Sequence, residues 1–280
     1  TKVDGSTATH WSIQQDPNDS AKSILRVKTG TKWTTDRELV GRGEFKRESS
    51  APIGLVLKDG SVKRYRDTIR EALTTGNKRQ TVNVLAIDEY TKGVVPSEMP
   101  TSWQTEAVKA QAVAARTYGS RSIRTSGTFD ICDTTSCQVY RGYDNETTAG
   151  NNAVSATKGK VLKYNGSLAF TQFSSSNGGA SAKGSQPFLV AKVDPYDGRS
   201  GNGNPNANWT KTVSAKTLES KYPELGTLKS IKFGTRAGVG EWGGRVNTVT
   251  LIGSKKSIEV SGTTMRSVLG LKSHWFAFKK

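Results

Sequence analysis

A single glutamate between two prolines has the setting in this sequence that best fits catalysis. In the stretch "GVVPSEMP", Glu98 lies two residues after Pro96 and two before Pro100. Proline fixes its own φ angle and restricts the residue before it, so the backbone on both sides of Glu98 is restrained. The apolar neighbours give this carboxyl a setting in which a general acid can stay protonated. The alternative is that Glu98 only interacts with the dipole at the N-terminus of a following helix.

Other kinds of active site are poorly supplied with residues. The two histidines, His10 and His274, lie at opposite ends of the chain, which disfavours a nucleophilic triad and a zinc hydrolase with paired histidines. The sequence contains no phosphate-binding GxxxxGK[ST] loop and no dinucleotide-binding glycine fingerprint. Carboxylate chemistry is the remaining option.

Two cysteines, Cys132 and Cys137, stand close together in "DICDTTSCQVYRG". A disulfide here would close a short loop and contribute roughly 1–3 kcal/mol in an oxidising compartment. The alternatives are two free structural thiols or a metal site. A zinc site with four ligands is poorly supplied, because neither histidine is near these cysteines in the sequence.

The charge of the chain favours a polyanionic partner. Lys and Arg number 41 against 24 Asp and Glu, a formal charge of +17 spread over the whole 280-residue chain. We find no recognisable nucleic-acid module, so nucleic acid is a rival suggested by charge alone. Anionic cell-wall polymers or a membrane surface fit the charge equally well.

Short strands and a few helices are the predicted elements. The pairs Asp59-Gly60 and Asn165-Gly166 each predict a hairpin turn. The clearest helix is "TSWQTEAVKAQAVAARTYGSRSI", where Thr101 and Gln104 are expected to form a capping box. Other segments predict a strand at "QTVNVLAI", a second helix in "TTAGNNAVSATKGKVLKY", a long loop at "GRSGNGNPNANW" and C-terminal strands in "SIKFGTRAG", "VNTVTLIG" and "KSIEVSG".

Several stretches, in the same order, resemble the stage II sporulation protein D family (SpoIID/LytB-like). They are "GVVPSEMP" with "WQTEAVKAQAVAARTY", "DICDTTSCQVYRG", "GKVLKYNGSLAFTQFSSSNGG", "DPYD" and "GTTMRSVLGLKSHWF". The resemblance covers roughly residues 80–280 and is loose before that. Members of this family include peptidoglycan lytic transglycosylases whose catalytic acid is the glutamate that falls on Glu98, and others are described as enhancers of wall amidases.

The resemblance implies roles for further residues. Gln111 and Arg116 would face the substrate groove from the helix after Glu98, one as a hydrogen-bonding group and the other as a fixed cation. For Arg116 the alternative is a packing role in which backbone carbonyls satisfy the guanidinium. The remaining expected cleft residues offer hydroxyls and an aromatic face to a sugar: Tyr140, Ser174, Ser175 and Ser176. For the serine run, the alternative is a plain turn.

One departure from the family concerns metal binding. Some members carry a histidine immediately before the second cysteine and bind zinc there, whereas this chain has Ser136. We therefore expect no metal and no cofactor, with a Cys132–Cys137 disulfide bordering the site. The acidic residues near Glu98 are interpreted as solvated or structural: Asp88, Glu89, Glu106, Asp130 and Asp133.

The sequence thus predicts an α+β protein with mainly antiparallel strands and two core helices framing a substrate groove. We expect a strand-rich segment at 1–80 and a SpoIID-like catalytic domain at 81–280. The resemblance implies an extracytoplasmic bacterial lytic transglycosylase, in the cell wall or secreted, that acts as a monomer on peptidoglycan glycan strands. Anionic wall polymers and a wall amidase are further candidate partners, and nucleic acid is not expected. The rival function is a non-catalytic wall-binding protein that stimulates an amidase.

Overall fold

The computed structural model describes residues 8–39, 42–47, 49–197 and 203–278. The chain forms two compact units, residues 1–172 and residues 173–280. Helices and small antiparallel sheets occur in both, which confirms the α+β class. The predicted boundary at residue 80 lies inside a strand, because residues 79–84 pair with residues 68–73. The division into 1–80 and 81–280 therefore stays a prediction.

The first half of unit 1 consists of antiparallel strands. In β2, Ser23, Leu25 and Val27 are buried in alternation, the pattern of a strand with one face against a core. The hairpin predicted at Asp59-Gly60 joins β5 to β6. Three sheets, with strand orders β1-β2-β3, β5-β6 and β4-β7-β8, are built from these strands: β1 Ala8–Gln15, β2 Ser23–Thr29, β3 Lys32–Leu39, β4 Glu44–Lys46, β5 Ile53–Val56, β6 Val62–Tyr65, β7 Thr68–Leu73 and β8 Arg79–Val84.

Three helices form the second core of unit 1: α1 Ile87–Glu98, α2 Thr105–Ser122 and α3 Thr148–Ala156. The buried residues Val95, Val108, Ala112 and Val154 pack together where these helices meet. The helix predicted from residue 101 is present as α2, but the capping box is wrong. Gln104 is the N-cap and makes no side-chain cap hydrogen bond.

The helices are followed by a short hairpin with the predicted turn. Strands β9 (Lys163–Tyr164) and β10 (Ser167–Leu168) pair on either side of Asn165-Gly166. Both turn residues have positive φ, 47° and 79°, as a type I′ turn requires. The local sequence therefore determines this turn.

Unit 2 packs two helices with a three-stranded antiparallel sheet of order β11-β12-β13. Its elements are α4 Ala215–Lys221, β11 Leu228–Phe233, β12 Thr248–Gly253, β13 Ser257–Ser261 and α5 Gly262–Leu269. Leu225, Leu251 and Met265 are fully buried in its core. The three predicted C-terminal strands are thereby confirmed. Residues 198–202 of the predicted "GRSGNGNPNANW" loop lie outside the described residues.

Candidate active site around Glu98

Glu98 is the last residue of α1. Met99 has extended backbone angles, φ −148° and ψ 153°, because the proline that follows it disfavours the helical conformation. The helix therefore ends at the glutamate, and the local sequence explains its position. The alternative concerned the N-terminus of the following helix, α2; the hydrogen bond that Glu98 receives among the described residues comes instead from Val139.

The carboxyl of Glu98 is held by one backbone group. The N–H of Val139 donates to its Oε1 at 2.6 Å. Within the described part of the chain, we find no ion pair to Glu98 and no hydrogen bond to Oε2. One oxygen is thus fixed, and the other can exchange a proton with a bound molecule.

A disulfide closes the loop that delivers this N–H. Cys132 and Cys137 are bonded, with Cα atoms 5.7 Å apart, which confirms the predicted bridge. Inside the closed loop, the N–H of Cys137 donates to the carbonyl of Thr134 at 2.9 Å. The free-thiol and metal alternatives for these cysteines are excluded.

The three residues after the disulfide are each anchored at a different place. Gln138 is fully buried and donates from Nε2 to the carbonyl of Ala115 on α2 at 3.2 Å. Val139 reaches Glu98 at the end of α1. The hydroxyl of Tyr140 donates to Oδ1 of Asn83 in β8 at 2.7 Å. These anchors fix the donor opposite Glu98, and only the adjacency of "QVY" to Cys137 could have indicated them from sequence.

Tyr140 packs into the protein as well as lining a cavity. A Cβ on Gly93 would come within 2.4 Å of its ring, so glycine is needed for this contact with α1. Burial raises the pKa of Tyr140, which keeps its hydroxyl protonated as a donor. A cavity of about 760 Å³ is lined by Tyr65, Tyr90 and Tyr140, among others, but not by Glu98. Tyr140 therefore supports the loop beside the glutamate.

Arg116 packs in the protein interior rather than facing a groove. Its side chain is 1% exposed. It donates to Asp88 at 2.6 Å and to the carbonyls of Val154 at 2.9 Å and Lys160 at 3.2 Å. A guanidinium satisfied in this way ties α1, α2 and the end of α3 together. The expectation that Arg116 binds substrate is corrected on this ground.

Gln111 is half-buried on α2, and its Nε2 has no hydrogen-bond partner among the described residues. A buried amide donor without a partner costs about 1–3 kcal/mol, so such groups usually have a water or ligand partner. Among the described residues, this buried Nε2 is therefore an unsatisfied donor.

The serine run belongs to unit 2, where an aspartate organises it. Oδ2 of Asp197 accepts from the hydroxyl of Ser176 at 2.8 Å and from the N–H groups of Asn177 at 2.5 Å and Gly178 at 2.8 Å. Partial burial opposes ionisation, but these hydrogen bonds hold the pKa of Asp197 below its usual value. Ser174 and Ser175 are exposed. The contacts of Ser176 are those of a turn, and they explain why "SSSNGG" and "DPYD" occur together.

Three further acidic residues near Glu98 in sequence have partners. Glu89 lies 3.2 Å from Arg66, and Glu106 lies 2.7 Å from Lys109. Oδ1 of Asp130 accepts from the backbone N–H of Arg124 at 2.9 Å.

No group of three or more His, Cys, Asp or Glu in the described residues could hold a metal ion. In the described ranges, no helix is both long and apolar enough to span a bilayer.

Comparison with known proteins agrees with the site. Residues 75–164 match the profile of the SpoIID family, "Stage II sporulation protein", and this range contains Glu98 and both cysteines. The "Amidase enhancer" of Bacillus subtilis (strain 168) is 49% identical over 141 residues, 48% of this chain and 18% of that protein.

Two sporulation proteins match over a longer range. "Stage II sporulation protein D" of the same organism is 31% identical over 224 residues, 72% of this chain and 62% of the relative. Its namesake from Bacillus amyloliquefaciens is 31% identical over 228 residues, 71% of this chain and 62% of the relative. The chain thus aligns with less than two thirds of each of these relatives. Residues 75–164, which hold the glutamate and the cysteine loop, thus form a region of the SpoIID family, and the longer alignments extend the similarity to about 70% of the chain.

Proposed function

We propose that this chain is a peptidoglycan lytic transglycosylase in which Glu98 is the single general acid and base. The proposal rests on the hydrogen bonding and the charge environment of the Glu98 carboxyl. A backbone N–H holds one oxygen, and no described cation neutralises it. A group that must donate and then accept a proton needs this combination of fixed position and freedom from an ion pair.

The reaction needs only one carboxyl. Glu98 protonates the glycosidic oxygen between N-acetylmuramic acid and N-acetylglucosamine while the bond to muramyl C1 breaks. The carboxylate then takes the proton of the muramyl C6 hydroxyl while the C6 oxygen bonds to C1. The product has a 1,6-anhydro ring. Glu98 returns to its starting state, and no water is consumed. A hydrolase would instead need a second carboxylate or an activated water.

Other residues are assigned supporting roles. The unpaired Nε2 of Gln111 is the proposed donor to a sugar hydroxyl or acetamido oxygen. Tyr140 holds the loop that carries the N–H bound to Glu98. The exposed hydroxyls of Ser174 and Ser175 stay proposed sugar contacts, and Ser176 is proposed to shape their turn.

The proposed partners are glycan strands and anionic wall polymers. A formal charge of +17 favours attachment to polyanions, and such attachment weakens as salt screens the charges. The proposed location is the outside of the bacterial cytoplasm, in the wall or secreted, which fits the disulfide. We expect a monomer.

A second candidate function rests on the 49% identical relative named "Amidase enhancer". In this alternative, the chain binds the wall and stimulates an amidase without cleaving glycan. A wall amidase assayed with and without this protein tests it. Stimulation by both the parent and Glu98→Gln, with no glycan product from either, would favour this function.

Mass spectrometry of soluble products tests the transglycosylase. Parent protein, Glu98→Gln and Glu106→Gln are incubated with purified glycan strands, both intact and stripped of stem peptides. Glu106 is the matched control because its exposed carboxylate pairs with Lys109 on the same helix and with no other described residue. We expect anhydromuramyl products from the parent and Glu106→Gln, and a loss of about 10²–10⁴-fold for Glu98→Gln. Equal product from all three proteins would refute the role of Glu98.

A further inference from the structure

An exposed tryptophan in unit 2 lies on a backbone conformation that its residue type disfavours. Trp242 has φ 55° and ψ 20°, the left-handed region, and its side chain is 56% exposed. A positive φ on a bulky residue is unfavourable and persists only where the surrounding structure imposes it. Strained backbone conformations cluster at functional sites, which makes Trp242 a candidate functional residue.

The surrounding loop, residues 238–244, is closely tied to its neighbours. The N–H of Gly238 donates to the carbonyl of Gly243 at 2.9 Å. The N–H of Gly244 donates to the carbonyl of Glu241, also at 2.9 Å. The indole N–H of Trp275 also donates to the Glu241 carbonyl, at 2.9 Å. These bonds restrain the backbone around Trp242, whose side chain is exposed to solvent.

Glycines make this close packing possible. A Cβ on Gly240 would lie 2.3 Å from the ring of Trp275, and one on Gly244 would lie 2.3 Å from the carbonyl oxygen of Val239. Glycine at 240 therefore allows the loop to approach Trp275, and glycine at 244 allows the loop to close on Val239. The one large apolar side chain that it exposes is that of Trp242.

Two arginines next to the loop leave positive charge there. Arg236 donates to the carbonyls of Gly244 at 2.8 Å and Phe276 at 3.1 Å. Arg245 donates to the carbonyls of Ala180 and Asn177 at 2.8 and 2.7 Å. In the described ranges, neither guanidinium forms an ion pair with a carboxylate, so carbonyl dipoles bind them without cancelling their charge. The exposed Glu241 is the acidic residue in the loop itself.

We propose that Trp242 is a glycan-binding residue that stacks on a sugar ring of the peptidoglycan strand. The face of a β-linked N-acetylated pyranose is apolar and flat, and a rigid indole matches it in size. The carboxylates of the same polymer suit the positive charge of unit 2, which has 16 Lys and Arg against 6 Asp and Glu, +10 formally. This inference rests on the wall-glycan partner of the proposed function.

A lipid surface is the less favoured occupant. Membrane insertion uses several apolar side chains, whereas the exposed neighbours of Trp242 are Gly240, Glu241 and Gly243. A single indole among glycines offers one flat face. That is enough for one sugar ring and too little for stable insertion into a bilayer.

The test measures binding in the Glu98→Gln background, so that substrate is not consumed. Cosedimentation with purified sacculi freed of teichoic acid gives an apparent Kd for Trp242→Ala, Trp242→Tyr and the matched control Trp11→Ala. Trp11 is 47% exposed on β1 and has no positive φ. We expect about 3- to 10-fold weaker binding for Trp242→Ala and less than twofold change for Trp11→Ala. Trp242→Tyr should restore most of the affinity.

A stability measurement separates this role from a structural one. Trp242→Gly removes the indole and relieves the positive φ, so we expect weaker sacculus binding with an unchanged or raised Tm. A residue needed only for folding would lower the Tm as binding falls, and that result would overturn the proposal. Unchanged binding by Trp242→Ala, or equal losses for Trp242→Ala and Trp11→Ala, would also overturn it.

Two further measurements, binding to lipid vesicles and analysis of glycan products, separate the possible outcomes. Binding to phosphatidylglycerol vesicles that depends on Trp242, with sacculus binding unaffected, would assign the residue to lipid instead. If the parent protein, with Glu98 unchanged, yields no anhydromuramyl product but sacculus binding still depends on Trp242, the proposed transglycosylase activity is refuted and the proposed glycan site is supported. If anhydromuramyl product forms and binding does not depend on Trp242, the glycan site fails and the transglycosylase stands.

Discussion

The two ends of helix α1 hold carboxylates in opposite ways. At its N-terminal end Asp88 lies 2.6 Å from Arg116, and Glu89 lies 3.2 Å from Arg66. At its C-terminal end Glu98 receives a backbone N–H at 2.6 Å and no other bond from the described residues. A carboxylate in an ion pair must break that pair before it can take up a proton. The contrast shows that the partners of a carboxylate, rather than its position in the sequence, distinguish Asp88 and Glu89 from Glu98.

The largest expected effect comes from removing the cation at the N-terminal end. Arg116→Ala leaves the carboxylate of Asp88 and two carbonyls without their buried partner, so we expect a loss of about 3–5 kcal/mol in the free energy of unfolding. Chemical denaturation measures it. Lys109→Ala is the control on the same helix, with less than about 1 kcal/mol expected because Glu106 is exposed. If Arg116→Ala kept the parental stability and only raised the KM, the result would support a substrate-binding role for Arg116.

A change in the middle of α1 tests the contact between the helix and the loop. In Gly93→Ala the new methyl would come within 2.4 Å of the Tyr140 ring. Overpacking of this kind costs about 1–3 kcal/mol, more than the helix propensity gained from alanine. We expect lower stability and, because Tyr140 follows Val139, lower turnover. Parental values for both quantities would show that the loop does not depend on this contact.

The disulfide tests the anchor at the C-terminal end. Replacing Cys132 and Cys137 by serine frees a short loop and is expected to lower the free energy of unfolding by about 2 kcal/mol. Turnover should fall further than stability explains, since the N–H that holds Glu98 follows this loop. The comparison is made at a temperature where both proteins are fully folded. Full turnover at that temperature would mean that the anchors on Gln138 and Tyr140 suffice.

The smallest effect on stability is expected at Glu98 itself. In Glu98→Gln the amide oxygen can still accept the N–H of Val139, so we expect less than about 1 kcal/mol of destabilisation. Asp88→Asn should destabilise more, because it leaves Arg116 buried without its anion. Thermal unfolding of both variants, side by side, measures the difference. The reverse order would show that Glu98 is the structural acid and Asp88 the dispensable one.

Several features of the fold could be predicted from the sequence because neighbouring residues cause them. Met99 is extended because Pro100 follows it, so α1 ends at Glu98. The hairpin at Asn165-Gly166 forms because both residues tolerate positive φ. The capping box at Thr101 failed although its residue types were suitable, since that hydroxyl instead contacts the hydroxyl of Thr147 at 2.9 Å.

The candidate site was predicted only in part, for the same physical reason. The glutamate and the cysteine pair are recognisable as a local motif, and the structure confirms the disulfide. The donor Val139 comes from 41 residues further along the chain than Glu98, and no local pattern identifies it. Gln138 is a buried anchor that its residue type does not reveal.

By itself, then, the sequence determined the elements and residues that short-range sterics control: the end of α1 at Glu98, the hairpin turns and a cysteine pair close enough to bond. Only the tertiary structure decided that Arg116 is buried on Asp88, 28 residues away, and that Glu98 is left to a backbone donor. Steric rules act between adjacent residues. Ion pairs and burial depend on which distant segments meet, so the same residue types become structural or chemically available only when the chain folds.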